Sequence, residues 1–302
     1  MLRGLYTAAS GMISEQRKHD ILTNNIGNLN TPGFKQGNAV SRSFPEMLIS
    51  RIRGGPEEAG RSVTVGRIHT GVLAEENVSL HAQGDLQETL NPFDFALVSD
   101  IQVPGAAFDA SGKYVDENGQ RVFQPQALFT VLNGNNERRY SLNGKFTVNA
   151  LGELVNGDGL QVLGRDGQPI RLVRVVNGQE IPIHDFKVTA AGEFLDENGQ
   201  PLNNAAGQRV ALLLSRADNP NLLVREGNGL YYVREEDAGT VTGLQPGDQV
   251  TVRQGFIERS NVAPEQAMVD IMAALRAYEA NQKVIQFYDK SMEKAVNEIG
   301  RV

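Results

Sequence analysis

The sequence of 302 residues contains no cysteine. The chain therefore forms no disulfide, and both thiolate catalysis and cysteine-based metal sites are excluded. Because proteins without disulfides occur in reducing and in oxidising compartments, this absence leaves a cytosolic and an extracellular location open.

The sequence also lacks long apolar runs and long runs of like charge. No stretch approaches the roughly 18 consecutive apolar residues that predict a transmembrane helix, and no run of like charge is long enough to form an interaction tail. A net charge of −7 and a pI near 5.3 argue against a nucleic-acid groove. The apolar start LYTAASGMI is interrupted by polar residues and lacks a clean cleavage site, so no cleaved signal peptide is expected.

Catalytic and metal-binding patterns are absent too. The four histidines are His19, His69, His81 and His184. They are scattered, and none lies in an HExxH or similar ligand spacing. Two DENG segments resemble the opening of a calcium loop, but their glycine comes too early and no glutamate closes the loop. No GxSxG, P-loop or dinucleotide-binding motif occurs. Beside two long patterned termini, this favours a protein that is not an enzyme and has no metal or cofactor, while a glycosidase pair among the many carboxylates is unsupported but stays open at this point.

The middle of the chain has the pattern of a β domain. Glycine is frequent, at 32 residues, and Asn-Gly or Asp-Gly pairs separate short apolar runs such as ALFTVL. Such pairs are typical of tight hairpin turns. A repeated segment also begins at residues 110, 150 and 190, and three copies without blade signatures predict recurring hairpins rather than a propeller. We expect a central β domain over 91–245.

The two ends of the chain predict long helices. Residues 1–30 carry apolar side chains at a spacing of three and four, and residues 264–302 continue that spacing over more than four heptads. Pro264 and Glu265 are typical of a helix start. The expected fold class is α+β, in which long N- and C-terminal helices pair as a coiled coil beside a central all-β domain of short hairpin-linked strands.

Two regions connect these parts. Residues 31–90 are expected to form an extended linker region, with a candidate short helix at FPEMLISRI and a flexible GGPEEAG segment. Residues 246–263 are expected to form a return strand or linker. The predicted order along the chain is therefore helix, linker, β domain, return strand and helix.

The C-terminal helix carries more apolar surface than one partner helix would cover. A second apolar stripe lies beside its seam, at Met272, Val284, Phe287, Tyr288 and Ala295. Because a two-stranded pair needs only a narrow seam, the surplus favours packing by other subunits. Docking of this stripe on the chain's own middle domain explains the pattern equally well.

A run of poor helix formers ends the first helix. The segment NNIGNLNTPGFK, residues 24–35, places four asparagines where the amphipathic pattern would otherwise continue. Between packed subunits the same amides can donate and accept laterally, and Gly27 permits close approach. Pro32 and Gly33 then turn the chain away, with Phe34 as a packing anchor. The alternative interpretation is a frayed helix end with an Asn/Gly cap.

These motifs resemble the bacterial flagellar rod and hook protein family. NNIGNLNTPGFK is similar to the N-terminal signature of that family, and GFIERSNV and RAYEANQKVIQFYDKSMEKAVNEI resemble its C-terminal motifs. GDLQETLNPFDFALV and YSLNGKFTVNALGELVNGDGLQVLG resemble the first strands of the rod-protein domain. The segments MLRGLYTAASGMI and RSFPEMLISRI are most similar to the FlgF/FlgG type, in the FlhO-like form of Gram-positive bacteria. An insertion at 99–126 departs from the family and leaves a proximal or distal rod position open.

The resemblance implies a structural subunit of the flagellar basal-body rod. Such a subunit leaves the cell through the flagellar type III export apparatus without a cleaved signal peptide and polymerises helically, which transmits torque from motor to hook. Its partners would be other copies of itself, neighbouring rod and hook proteins and the export apparatus, with no nucleic acid and no small-molecule substrate. The terminal helices would line the tube and become ordered on assembly, with the β domain outside.

The predicted assembly interface joins both ends of the chain. A hook-type protein is the alternative function, and a less favoured one is an exported β-rich glycan-binding module or hydrolase with a coiled-coil stalk. The predicted interface residues are Leu5, Met12, Leu22, Asn24, Asn25, Ile26, Asn28, Asn30, Thr31, Pro32, Gly33, Phe34, Ser260, Asn261, Val262, Met268, Ile271, Leu275, Tyr278, Asn281, Ile285, Phe287, Tyr288 and Met292.

Overall fold

The computed structural model of the chain describes residues 2–52, 62–109, 112–176, 179–183, 185–204, 207–245 and 247–299. The GGPEEAG segment and His184 lie outside the described residues. The chain divides into two compact units. The helical unit comprises Met1–Gly27, Gly37–Val78 and Ala263–Val302, and the β unit comprises Asn28–Gln36 and Ser79–Val262.

Two long helices form the frame of the helical unit. Helix α1 spans Leu2–Gly27, and α2 spans Pro264–Lys294 and continues as a π-helical turn over Ala295–Ile299. As expected from the sequence, proline stands at the start of α2 and Glu265 lies in its first turn, where a carboxylate is stabilised by the helix dipole. The α+β class is confirmed, with one helix at each end of the chain.

The predicted coiled coil is wrong. The helices lie antiparallel, because Gly4 faces the ring of Tyr288 and Gly11 faces the side chain of Asn281. A coiled coil would bury large apolar side chains along its seam. Two predicted seam residues of α2, Met268 and Leu275, are instead 55% and 43% exposed. The buried residues of α2 are the preceding alanines, Ala267 and Ala274. The contact therefore uses small side chains that permit close approach, and the three-four spacing of the large ones misled the prediction.

Two hairpin-like strand pairs complete the helical unit. Strand β1, Gly37–Ser43, pairs with β4, Val72–Ser79, and β2, Met47–Ile52, pairs antiparallel with β3, Ser62–Ile68. The candidate short helix at FPEMLISRI is therefore wrong. Its apolar residues pair with the β-branched strand SVTVGRI, and this tertiary pairing overrides local helix propensity.

The β unit is built from short strands around one nine-stranded sheet. Strand β9, Gln126–Leu132, is the centre of this sheet, because it pairs with β10, β13 and β18. The sheet also contains β11, β12, β19, β20 and β21. The remaining strands form the two-stranded pairs β5–β23, β6–β22, β7–β8, β14–β15 and β16–β17. The other strands of the large sheet are β10 Arg138–Ser141, β11 Phe146–Val148, β12 Leu154–Asn156, β13 Gln161–Val162, β18 Leu214–Ala217, β19 Val224–Gly227, β20 Leu230–Tyr232 and β21 Val241–Gly243. The strands of the two-stranded pairs are β5 Leu86–Glu88, β6 Phe95–Asp100, β7 Lys113–Val115, β8 Arg121–Phe123, β14 Val173–Val176, β15 Gln179–Pro182, β16 Lys187–Val188, β17 Phe194–Leu195, β22 Gln249–Gln254 and β23 Phe256–Glu258. Two 3₁₀-helices span Pro220–Leu222 and Glu235–Thr240.

The three sequence repeats form equivalent turns. In each, one side chain accepts hydrogen bonds from the backbone N–H groups two and four residues later. The three side chains are Asp116, Asn156 and Asp196. Because these oxygens stabilise their own turns, the DENG segments are hairpin turns and not calcium loops, as the sequence predicted.

Candidate assembly interface

The outer face of α2 exposes large apolar side chains. Phe287 is 74% exposed, and Met268, Val269, Met272, Leu275 and Val284 are each between 42% and 55% exposed. Exposed apolar surface of this kind is typical of interaction sites. The second stripe predicted from the sequence thus lies at the surface of the helical unit at Met272, Val284 and Phe287.

The predicted interface residues fall into three groups by exposure. Asn24, Asn30, Met268, Leu275 and Phe287 are exposed, whereas Leu22, Asn25, Gly33 and Val262 are buried. The others are half-buried, and they are Leu5, Met12, Ile26, Asn28, Thr31, Pro32, Phe34, Ser260, Asn261, Ile271, Tyr278, Asn281, Ile285, Tyr288 and Met292.

Asn25 does not act laterally as predicted. Its side-chain Nδ2 donates to the carbonyl of Gly37 at 2.8 Å, and its Oδ1 accepts from the N–H of Gly37 at 2.9 Å. The side chain is 1% exposed. Both hydrogen-bonding groups of this amide therefore serve the chain itself and fix the start of β1 beside the end of α1.

The turn after α1 requires glycine at position 33. Thr31 donates from its backbone N–H to the Asn28 carbonyl at 3.2 Å, and Gly33 has a φ of 69°. A Cβ at Gly33 would lie 2.6 Å from the carbonyl carbon of Leu142. The left-handed conformation and this close backbone approach both exclude a side chain, which explains the Pro-Gly turn predicted from the sequence.

A buried ion pair follows this turn. Lys35 Nζ donates to Glu258 Oε1 at 2.7 Å and to the Ala82 carbonyl at 3.0 Å, and the two charged side chains are 1% and 3% exposed. Glu258 Oε1 also accepts from the Gly84 N–H at 2.7 Å. Buried charges are tolerated only when they are paired and hydrogen-bonded, as these are. We call Lys35, Glu258, Ala82 and Gly84 the Lys35 cluster.

Further hydrogen bonds hold the chain around the Lys35 cluster. Asn261 donates from Nδ2 to the carbonyls of Leu80 and Ala82 at 2.8 and 3.1 Å, and its Oδ1 accepts from the Gln36 N–H at 2.6 Å. Arg225 donates to the Lys35 carbonyl and places its guanidinium carbon 4.8 Å from the centre of the Phe34 ring. Segments 33–36, 79–84 and 258–261 are therefore joined within the β unit.

The sequence analysis missed Lys35, Glu258 and Arg225. Lys35 and Glu258 have opposite charge and lie inside the two motifs NTPGFK and GFIERSNV, which was the available signal. Nothing in the sequence indicated that the two motifs meet. Asn261 was predicted to lie in the assembly interface, and its side-chain amide bonds to Leu80, Ala82 and Gln36 of its own chain.

His81 lies beside the Lys35 cluster in a cavity of about 390 Å³. Its Nδ1 donates to Gln126 Oε1 at 3.0 Å. Burial, and after it the positive charge of Lys35, together lower the pKa of His81 from 6.5 to about 4. The imidazole is therefore neutral at pH 7.

This histidine should make the β unit less stable in acid. A group whose pKa is depressed on folding contributes stability above its unfolded pKa of 6.5 and loses it as the pH falls towards 4. We expect the native chain to lose on the order of 3 kcal/mol more than His81→Asn over this range, since asparagine can also donate to Gln126 and does not titrate. Exchange of the buried β9 amides at pH 7 and pH 4.5, corrected for the intrinsic exchange rate at each pH, measures the difference, and equal losses in both proteins would contradict it.

Two kinds of site were not found in the part of the chain that the structure describes. Within those residues no group of three or more His, Asp and Glu side chains is placed to hold a metal ion. Neither described helix has the length and apolar character needed to cross a membrane.

Comparison with known proteins identifies the family. A model described as flagella basal body rod protein matches residues 5–35, and one for the flagellar basal body rod FlgEFG protein C-terminal region matches 253–298. The flagellar hook-basal body complex protein FlhO of Bacillus subtilis is 36% identical over 303 aligned positions, covering 100% of both chains. This chain belongs to the flagellar basal-body rod protein family. The flagellar basal-body rod proteins FlgG of Bacillus subtilis and Agrobacterium fabrum are 27% and 29% identical and cover 98% and 96% of the chain and 99% and 96% of their own lengths.

The ion pair of the Lys35 cluster lies within the two regions that the family models match. Lys35 ends the first region matched by a flagellar rod model, and Glu258 lies in the second. The buried ion pair therefore joins the two regions that define the family in this chain. As a member of this family, the chain is a structural flagellar rod or hook subunit, and the resemblance inferred from the sequence is confirmed.

Proposed function

We propose that this protein is an exported subunit of the flagellar basal-body rod that polymerises helically through its helical unit. The observation that carries the proposal is the exposed apolar face of α2 in a chain whose full length matches a hook-basal body complex protein. The partners are other copies of this chain and neighbouring rod and hook proteins. The protein has no catalytic role, and it leaves the cell through the flagellar type III apparatus without a cleaved signal peptide.

The energetics of this face favour a polymer over a single pairwise contact. Fully burying one large apolar side chain contributes roughly 1.5–3 kcal/mol, and association costs about 4–15 kcal/mol before any contact is counted. The six apolar residues on α2 are distributed around much of the exposed surface of the helix, from Met268 to Phe287. Several neighbours can therefore share them, and contacts to many neighbours give a rod that resists twisting while it transmits torque.

Substitution of Phe287 tests the proposal. We expect Phe287→Asp to abolish incorporation into basal bodies and motility, because a carboxylate would be buried in the subunit contact. Leu151→Asp is the matched control, since Leu151 is 65% exposed on a turn of the β unit and Phe287 is 74% exposed. Each variant is expressed in cells that lack the native gene, which are then scored for swimming, hook formation and the chain in isolated basal bodies. Normal assembly of Phe287→Asp would refute the role given to α2.

A further inference from the structure

An apolar groove opens at one end of the helical unit. It has a volume of about 780 Å³ and lies between the start of α1, the strands β2 and β3, and the second half of α2. Its lining includes Tyr6, Leu48 and Val284, which are 67%, 66% and 42% exposed. The groove is large enough to accept several side chains of another molecule.

An apolar patch occupies the opposite end of the same unit. Met268, Val269, Met272 and Leu275 lie in the first turns of α2 and are all exposed. We call these four residues the α2 patch. Because Gly4 of α1 faces Tyr288 of α2, the start of α1 lies beside the end of α2 and far from its start. Along α2 the patch ends at Leu275 and the groove lining begins at Asn281, about six residues of helix or roughly 9 Å later.

The patch has the same length as an exposed apolar stretch of α1 that begins at the groove. Met268 and Leu275 are seven residues apart, about 10 Å along a helix, and so are Tyr6, which lines the groove, and the exposed Ile13. A helix face of two turns can therefore lie along the groove and the adjoining face of α1. The Met and Leu side chains of the patch suit such a contact, because the flexible methionine side chain adapts to irregular surfaces.

Carboxylates flank the α2 patch, and a cation lines the groove. Glu265 and Glu279 bracket the α2 patch at helical spacings of three and four, with Arg276 beside them. Arg3 lines the groove, and its guanidinium forms no ion pair with any residue that the structure describes. Carboxylates from a docked patch would supply a partner for this cation and would favour one orientation.

We infer that the α2 patch of one copy docks into the groove of the next copy, so that helical units add head to tail. A contact between two different surfaces that lie at opposite ends cannot close on itself in a pair and leads to an open filament. The inference rests on the proposed function and names the two surfaces that meet in the rod.

Disulfide trapping tests this contact in assembled rods. The native chain has no cysteine, so the double variant Leu48→Cys/Met272→Cys reports only on the introduced thiols. The control is Val65→Cys/Met272→Cys, because Val65 lies on β3 of the same hairpin, is 67% exposed and does not line the groove. Basal bodies from cells expressing either variant are oxidised mildly and run on a non-reducing gel. We expect a ladder of cross-linked copies for Leu48 and monomers for Val65.

The alternatives give different results. The inference would be overturned if both variants gave equal ladders, or if Leu48→Cys/Met272→Cys was present in the rods and gave only monomers. A cross-link from Leu48→Cys/Met272→Cys to a different protein would also overturn it. In all three cases the proposed function would stand. Absence of even the unsubstituted chain from basal bodies would overturn both.

Aspartate variants decide the question if the double cysteine variant does not assemble. Leu48→Asp and Met272→Asp should lower incorporation at least about tenfold, because they place a charge inside the contact, whereas Val65→Asp should not. Equal incorporation of Leu48→Asp and Val65→Asp would overturn the inference.

Discussion

Lys35→Met is expected to lower the free energy of unfolding of the β unit by about 3–5 kcal/mol. The substitution leaves the carboxylate of Glu258 buried at 3% exposure, with its Oε1 accepting a hydrogen bond only from the N–H of Gly84 within the Lys35 cluster. A buried charge without its counter-charge is among the most destabilising defects that a single substitution produces. The bond to the Ala82 carbonyl is lost as well.

Amide hydrogen exchange is the suitable measurement because the chain has two units. Multi-unit proteins need not unfold in one step, whereas the slowest amides of a unit report its own global opening. The amides of β9 serve this purpose, since Leu128, Phe129 and Val131 are fully buried. The control is Arg234→Ala, which removes an exposed ion pair with Glu236 at 3.7 Å and should change stability by less than about 1 kcal/mol.

A second variant separates charge burial from packing. In Lys35→Met/Glu258→Leu both charges are absent, so the unpaired carboxylate disappears and part of the lost stability should return. The recovery should be incomplete, because the Gly84 N–H loses its acceptor. If Lys35→Met alone lowered the unfolding free energy by less than about 1 kcal/mol, the ion pair would contribute little to the stability of the β unit and the prediction would be wrong.

The sequence predicted elements better than it predicted their contacts. Helices α1 and α2 were visible because apolar residues recur every three or four positions over many turns, and Asn-Gly and Asp-Gly pairs marked the hairpins of the β unit. The seam of α2 was not predictable from the same pattern. Large side chains at Met268 and Leu275 carry the periodic signal, but the residues of α2 that are buried are the alanines that precede them.

The interface predictions show where local reasoning ends. Asparagine is indeed a poor helix former, but whether its side-chain amide bonds to its own chain or to a neighbouring subunit depends on which residues fold beside it. Asn25 meets Gly37, and Asn261 meets Leu80 and Ala82, at sequence separations that no local pattern reveals. Phe287 was predicted as surplus apolar surface on α2, because that surplus can be read from one helix, and its 74% exposure decides between a free surface and docking on the chain's own middle domain.

Phe95→Ala should destabilise the β unit by about 3–5 kcal/mol. The Phe95 ring is fully buried and lies 5.9 Å from the centroid of Phe146 and 6.1 Å from that of Phe194. Its removal leaves a cavity whose walls cannot collapse easily, because the backbone of Phe95 is bonded to Gly144 and a Cβ at that glycine would lie 1.7 Å from the Phe95 carbonyl oxygen. Exchange of the β9 amides measures the loss.

Phe287→Ala is the matched comparison, and the two phenylalanines should have opposite effects on stability and assembly. Phe287 is 74% exposed, so its truncation should change the unfolding free energy by less than about 0.5 kcal/mol. Incorporation into basal bodies should nevertheless fall, because the ring is buried only between subunits. For Phe95→Ala, the fraction of chain that is folded should still assemble, since the outer face of α2 is unchanged. If Phe287→Ala assembled normally, the exposed face of α2 would be ordinary surface, since its most exposed ring would then contribute nothing to the polymer.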